Sequence, residues 1–210
     1  MVEALESRSL LSGLSLNGFP VAGFRPGRLA GDAPWDVAVV VDNQPARALA
    51  YAEPNDAIGA VSHASLIVGS PNWIAGIIGD IVHGGSSTAT NDVDFYQFEL
   101  PGDDHYAVRL DVIAERFGSL LNAAVTVFDG KGGLIATNDD ALQAGSLSDA
   151  SLTVGLDSGK FYVAVTASGN VPGALGGFDP FVAGSGKSGG GTAGQYLLQV
   201  SAEVDNVRPE

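Results

Sequence analysis

The chain has 210 residues, 24 acidic against 10 basic side chains, a formal charge of −14 and no cysteine. The charge argues against nucleic acid, which needs a basic footprint, and against anionic membrane surfaces. The missing cysteines exclude disulfides, thiolate zinc sites, cysteine-ligated clusters and cysteine nucleophiles, and no apolar run approaches the ~18 to 20 residues of a membrane span.

Residues 1–50 form one compositional zone, with Arg8, Arg25, Arg28 and Arg47 among scattered glycines and prolines. Val2 to Leu16 has loose helical spacing broken at Gly13, and only Trp35 to Val41 has the character of a strand. The zone reads as a leader or irregular tail, with a strand at Val37 to Val41 as the alternative.

From Tyr51 the pattern changes to short apolar runs between turn signals. Strands are expected at Ala64 to Val68, Ile74 to Val82 and Val93 to Leu100. Pro101-Gly102-Asp103-Asp104 is a turn signal, after which Tyr106 to Ile113 forms the next strand. Asn122 to Phe128 and Leu134 to Thr137 make a hairpin across Asp129-Gly130-Lys131-Gly132-Gly133. A helical turn fits Asp140 to Ala144, and Ser151 to Leu156, Phe161 to Thr166 and Gln195 to Val204 complete the strands. Eight or nine short strands, with no long helices between them, predict an all-β antiparallel sandwich or barrel. The predicted organisation is a leader or tail over 1–50, a β domain over 51–204 and a C-terminal tail over 205–210. Gly169 to Gly194, rich in glycine with Pro172 and Pro180, reads as a mobile loop.

Several motifs fail on their surroundings. Gly184-Ser185-Gly186-Lys187-Ser188-Gly189 matches G-x-G-x-x-G in letters, but no strand precedes it and no helix follows. A phosphate-binding P-loop would need glycine where Phe181 stands. His63, His83 and His105 are too far apart in sequence for a helical metal pair, and there is no G-x-S-x-G elbow. An enzyme is not expected.

The acidic turns carry the chemistry. Glu53, Asn55 and Asp56 lie within four residues, stiffened by Pro54. Asp92 and Asp94 open the run Asn91 to Glu99, whose alternation reads as a half-buried strand, so both carboxylates share one face. Calcium takes six to eight hard oxygen ligands, typically from several short segments. Glu53, Asn55, Asp56, Asp92 and Asp94 are therefore the expected metal ligands, and calcium the expected ion. Asn138-Asp139-Asp140 reads as ordinary turn chemistry.

Taken together, Glu53 to Asp56, Asn91 to Tyr96, Val125 to Asp129 with Gly132 to Asp140, and Leu156 to Val165 resemble, in order and spacing, the bacterial pre-peptidase C-terminal domain over about residues 51 to 202. The resemblance implies a jelly-roll-like β-sandwich of the kind attached to secreted proteases and surface proteins, related to the collagen-binding domains of clostridial collagenases. It also implies calcium held between an acidic linker, here Glu53 to Asp56, and an acidic pair, here Asp92 and Asp94. The segments Ala57 to Thr90 and Gly169 to Gly194 depart from the family by their length. Leu5-Glu6-Ser7-Arg8-Ser9-Leu10-Leu11-Ser12 resembles a leader of secreted and surface proteins of planctomycete-type bacteria, which implies an extracellular or cell-surface location. The leading expectation is a secreted, non-catalytic accessory module that binds calcium structurally and meets an extracellular protein or polysaccharide. The alternative is a secretion or folding adjunct of a peptidase-like protein, without a ligand of its own.

Overall fold

The computed structural model of the chain describes residues 15–16, 19–20, 35–41, 44–50, 55–63, 71–78, 91–139, 149–173, 176–186 and 192–205. Among them are eleven strands and two short 3-10 turns, at Ile58–Ala60 and Glu115–Phe117, and no α-helix. Strands β1 (Ser15–Leu16) and β2 (Phe19–Pro20) make a small antiparallel pair. The other nine are β3 (Trp35–Val41), β4 (Gln44–Ala50), β5 (Ser62–His63), β6 (Asn72–Ile78), β7 (Val93–Ile113), β8 (Ala123–Asp129), β9 (Leu134–Asn138), β10 (Ala150–Ala167) and β11 (Gly194–Val204). They hydrogen-bond in the order β3-β4-β6-β11-β7-β10-β8-β9, with β5 alongside β7.

This continuous ladder is a folded sandwich because its two longest strands bend. Pro101-Gly102-Asp103-Asp104 does not end a strand as predicted. It is an exposed interruption inside β7, set opposite a matching irregularity in β10 where the register passes from Asp157↔His105 to Gly159↔Leu100. Gly102 has φ 71° and Gly159 φ 145°, backbone that side-chain-bearing residues rarely adopt. The Tyr106 hydroxyl donates to the Pro101 carbonyl at 2.7 Å and ties the bend closed. Residues 93–100, 159–167, β8 and β9 thus form one layer. Residues 106–113, 150–157, β11, β6, β4 and β3 continue into the other.

The inner faces of the two layers share one core. Tyr96, Phe98 and Val163 from the first pack in the same buried cluster as Leu110, Leu198 and Val200 from the second. Each such side chain contributes roughly 1.5–3 kcal/mol on burial. Among the described residues the domain is therefore all-β and largely antiparallel, as the strand spacing predicts. The exceptions are the parallel contacts β4–β6 and β5–β7.

Three expectations need correction. Residues 35–41 and 44–50 are not irregular: β3 and β4 pair antiparallel, and β4 joins the large sheet through β6. The β-branched run Val37 to Val41, with Val39 and Val40, favours extended backbone strongly enough to prevail over the mixed composition around it. The strand at 93–100 is not half-buried. Its second face, with Val93 and Phe95, lies in a smaller cluster with Phe128, Tyr162, Ala164 and Phe178, edged by Ile58 and Val61. Finally, the glycine-rich segment is docked where it is described: Phe178 is buried, with its ring centroid 5.8 Å from Phe95 and 6.1 Å from Phe128. The expected strand at 64–68, the helical turn at 140–144 and the leader motif at 5–12 lie outside the described residues, as does the C-terminal tail beyond Asp205.

Gly76 has a packing role. It pairs directly with Tyr196, and a Cβ there would overlap the tyrosine ring. Gly76→Ala should destabilise the fold by about 1–3 kcal/mol through overpacking. Urea unfolding would check this, and an unchanged midpoint would show that the ring can move aside at no cost.

Candidate metal centre

The linker at 55–58 reaches the sheet at the start of β7, the strand that Asp92 and Asp94 open. Backbone first: Asn55 accepts a hydrogen bond from the Phe95 amide at 3.0 Å. Further along, β5 pairs in parallel with β7, Ser62 opposite Tyr96 and His63 opposite Gln97. Segment 55–63 thus runs along one edge of the first layer, with the Ile58–Ala60 turn in between. That turn is held from outside by the Ile58 amide, which donates to the Pro180 carbonyl at 2.9 Å. Asn91 donates its side-chain amide to the Gly184 carbonyl at 2.9 Å. The segment before β7, the linker at 55–58 and the loop at 180–184 are therefore fastened to one another.

The side chains at this junction are polar and buried. Asn55 is 1 % exposed, Asp92 6 % and Asp94 2 %. Asp56 is half-buried, and its Oδ1 is buried with no hydrogen-bond partner. A buried oxygen without a donor costs about 1–3 kcal/mol, so that atom calls for a proton donor or a cation. Glu53 lies outside the described residues. Among the described residues, no three His, Cys, Asp or Glu side chains gather as a metal-holding group. Asp56, Asp92 and Asp94 therefore do not make such a site by themselves. A six-to-eight-oxygen sphere here would draw also on amide and carbonyl oxygens and on the linker.

Asp94 has a role that sequence reasoning missed. Its Oδ2 accepts from the Tyr196 hydroxyl at 2.5 Å, and the Tyr96 and Tyr196 hydroxyls are 2.5 Å apart. Tyr196 donates to Asp94, so Tyr96 donates to Tyr196. Burial first, then the nearby Asp94 charge, raises the Tyr196 phenol well above its usual value of 10.0 and keeps the donor protonated. Replacing Asp94 therefore disturbs a buried hydrogen-bond chain as well as any ligand set, which makes it a poor choice for isolating metal binding. The only hint in the sequence was an aromatic two residues beyond Asp94. The partner strand, 102 residues away, could not be read locally.

Other acidic positions resolve as structural. Asp129 Oδ1 accepts from the Lys131 and Gly133 amides at 2.8 and 2.7 Å. Those backbone donors, Gly133 ahead of Lys131, lower its carboxyl below the usual range. Asp139 accepts from the Ser168 hydroxyl, in keeping with the turn role expected for 138–140. Of the aromatics, Trp73, Tyr106 and Phe178 are buried and Phe181 is exposed. His105 Nδ1 lies 2.9 Å from Asp157 Oδ1 at the bend of the long strands.

Comparison with known proteins agrees with part of this. Residues 92–167 match the family described as the bacterial pre-peptidase C-terminal domain, which bears out the resemblance over that stretch. No curated protein matches. Among solved structures, the pre-peptidase C-terminal domain of collagenase from Bacillus anthracis is similar at 15 % identity and TM-score 0.38, covering 67 % of this chain and 95 % of that one. PliG, a periplasmic inhibitor of g-type lysozyme from Aeromonas hydrophila, is similar at 16 % identity and TM-score 0.36, with 68 % and 96 % covered. A carbohydrate-binding module of Cellvibrio mixtus lichenase 5A, solved with cellotriose, is similar at 8 % identity and TM-score 0.27, with 83 % and 88 % covered. Likenesses this distant carry no ligand or activity across to this chain.

Proposed function

We propose, on the premise of a pre-peptidase C-terminal domain over residues 92–167, that the chain is a secreted, non-catalytic accessory module whose fold is completed by calcium. Asn55, Asp56, Asp92 and Asp94, with Glu53 just ahead of them, would hold the ion. The ion would supply the positive partner that the buried Asp56 Oδ1 lacks. The observation that carries the reading is the Asn55–Phe95 backbone hydrogen bond. It sets the acidic linker beside the acidic strand entrance and leaves Asp56 Oδ1 buried without a donor. The chain's own residues would then fix the linker along the edge of β7 and exclude water there, while Tyr196 orients Asp94. An extracellular or cell-surface setting, with a protein or polysaccharide partner, is supported by the family match and by the leader-like Leu5 to Ser12.

The test is thermal unfolding with and without calcium. Extracellular calcium modules bind at roughly 10⁻⁴ to 10⁻³ M. At a free concentration about 100 times the dissociation constant, linkage adds about 2.7 kcal/mol, a rise of about 5 to 10 °C for a domain of this size. Chelator should reverse it. Asp56→Ala should remove most of the response while leaving the Tyr196–Asp94 bond in place. A melting temperature indifferent to millimolar calcium would sink this reading and leave the adjunct domain without a ligand of its own.

A further inference from the structure

The first layer has two edges, and they are treated differently. On one side, segment 55–63 lies along β7 and occupies its backbone through Asn55 and β5. On the other side the layer ends at β9, Leu134–Asn138, which pairs only with β8 among the described residues. Open strand edges are templates for another chain, and proteins usually blunt them with proline, lysine or inward-facing charge. The sequence Leu-Ile-Ala-Thr-Asn has none of these. A bulge opposite Val127 and Phe128 disturbs only the Leu134 end. Leu134 is 51 % exposed and Ile135 38 %.

A second apolar element stands beside this edge. Phe181 and Val182, in the loop after β10, are 60 % and 53 % exposed. A Cβ on Gly132 would overlap the Phe181 ring, so that ring covers the turn that leads into β9. The rim is acidic. Asp129, whose carboxyl is held ionised by the turn amides, precedes the turn, and Asp139 follows β9. Asp179 is two residues before Phe181 and bonds its amide. The one basic residue of the turn is Lys131.

We propose that β9 is a docking edge for an extended, basic polypeptide segment. The segment would add as a strand, lay apolar side chains on Leu134, Ile135 and Phe181, and meet the acidic rim with lysine or arginine. Strand addition of this kind draws affinity from main-chain hydrogen bonds and specificity from alternate side chains. Charge selects the occupant: a second copy of this chain, at −14, would bring two acidic rims together. The proposal goes beyond the calcium reading and does not require it: β9 and the 55–63 linker lie at opposite edges of the layer, and only the loop at 179–184 touches both.

The probe is a synthetic peptide of about ten residues alternating lysine and valine, long enough to span a five-residue strand. A second peptide, with glutamate in place of lysine, is the charge control. Binding is read by fluorescence anisotropy and by amide shifts, with and without calcium. The lysine peptide should bind, with shifts confined to 129–139 and 179–182, and the glutamate peptide should not. Ile135→Lys, an exposed substitution that places a repelling cation on the edge, should weaken binding by at least about tenfold, and Phe181→Ala should weaken it measurably. Unfolding curves of both variants should match the parent, since both side chains are exposed. No binding of the lysine peptide, equal binding to Ile135→Lys, shifts elsewhere, or self-association through β9 in sedimentation would each overturn the proposal. A failed calcium response alone would not.

Discussion

Asp149→Ala should lower stability by about 2–4 kcal/mol, since each buried donor left without its acceptor costs about 1–3 kcal/mol. Asp149 is fully buried just before β10. Its Oδ1 accepts from the backbone amides of Ala114 and Glu115, both at 2.7 Å, and its Oδ2 takes the Arg116 guanidinium. One carboxylate thus satisfies the free amides at the start of the 3-10 turn after β7 and neutralises the arginine within it. Alanine would leave two amide donors and the partly exposed arginine head without their acceptor. For a domain of this size, the loss amounts to a fall of roughly 10 °C in melting temperature. Asp149→Asn separates the components: it retains an acceptor oxygen but loses the charge, and should fall between the parent and alanine. If alanine matched the parent in urea and thermal unfolding, the carboxylate would be dispensable and the turn held by packing alone.

Phe178→Ala should also cost about 3–5 kcal/mol, as for a buried phenylalanine elsewhere. The ring is 3 % exposed and meets Phe95 edge-on, at an interplanar angle of 82°, and Phe128 at 65°. Edge-to-face pairs add to the area term. Removing this ring uncovers the outer face of the first layer, so Phe95 and Phe128 lose their cover together. The effect should extend to the linker and the strand entrance, because in the same loop the Pro180 carbonyl accepts from the Ile58 amide and the Gly184 carbonyl accepts from the Asn91 side-chain amide. Hydrogen exchange should therefore show protection falling at 55–60 and 91–95 as well as at 176–186. A variant that kept parental stability and lost protection only at 176–186 would show that the loop merely rests on the sheet.

The all-β class was legible because short β-branched and aromatic runs between glycine-rich turns leave little else to build. The hairpin around Asp129 to Gly133 was legible for the same local reason, and the structure supplies its mechanism in the Asp129 side chain bonding the turn amides. The acidic linker and the acidic strand entrance could be picked out as candidates, since clustered carboxylates suit hard cations whatever the fold. Local composition misled where a long-range partner decided the outcome. Pro101 to Asp104 carries every sign of a turn, yet the opposite irregularity in β10 lets both strands continue and bend. The glycines of 169–194 suggested mobility, but one phenylalanine finds a pocket between Phe95 and Phe128. Residues 35–50 looked irregular until β4 found β6.

What the sequence determined by itself, then, is what depends on neighbours along the chain: strand character, turn chemistry and the supply of oxygen donors. The tertiary structure alone decided which strand faces are covered, which edge is closed by the linker and which, among the described residues, ends at β9. It alone placed Tyr196 against Asp94 across 102 residues. Those outcomes rest on packing and on hydrogen bonds between distant segments, whose energies depend on partners that no local window contains.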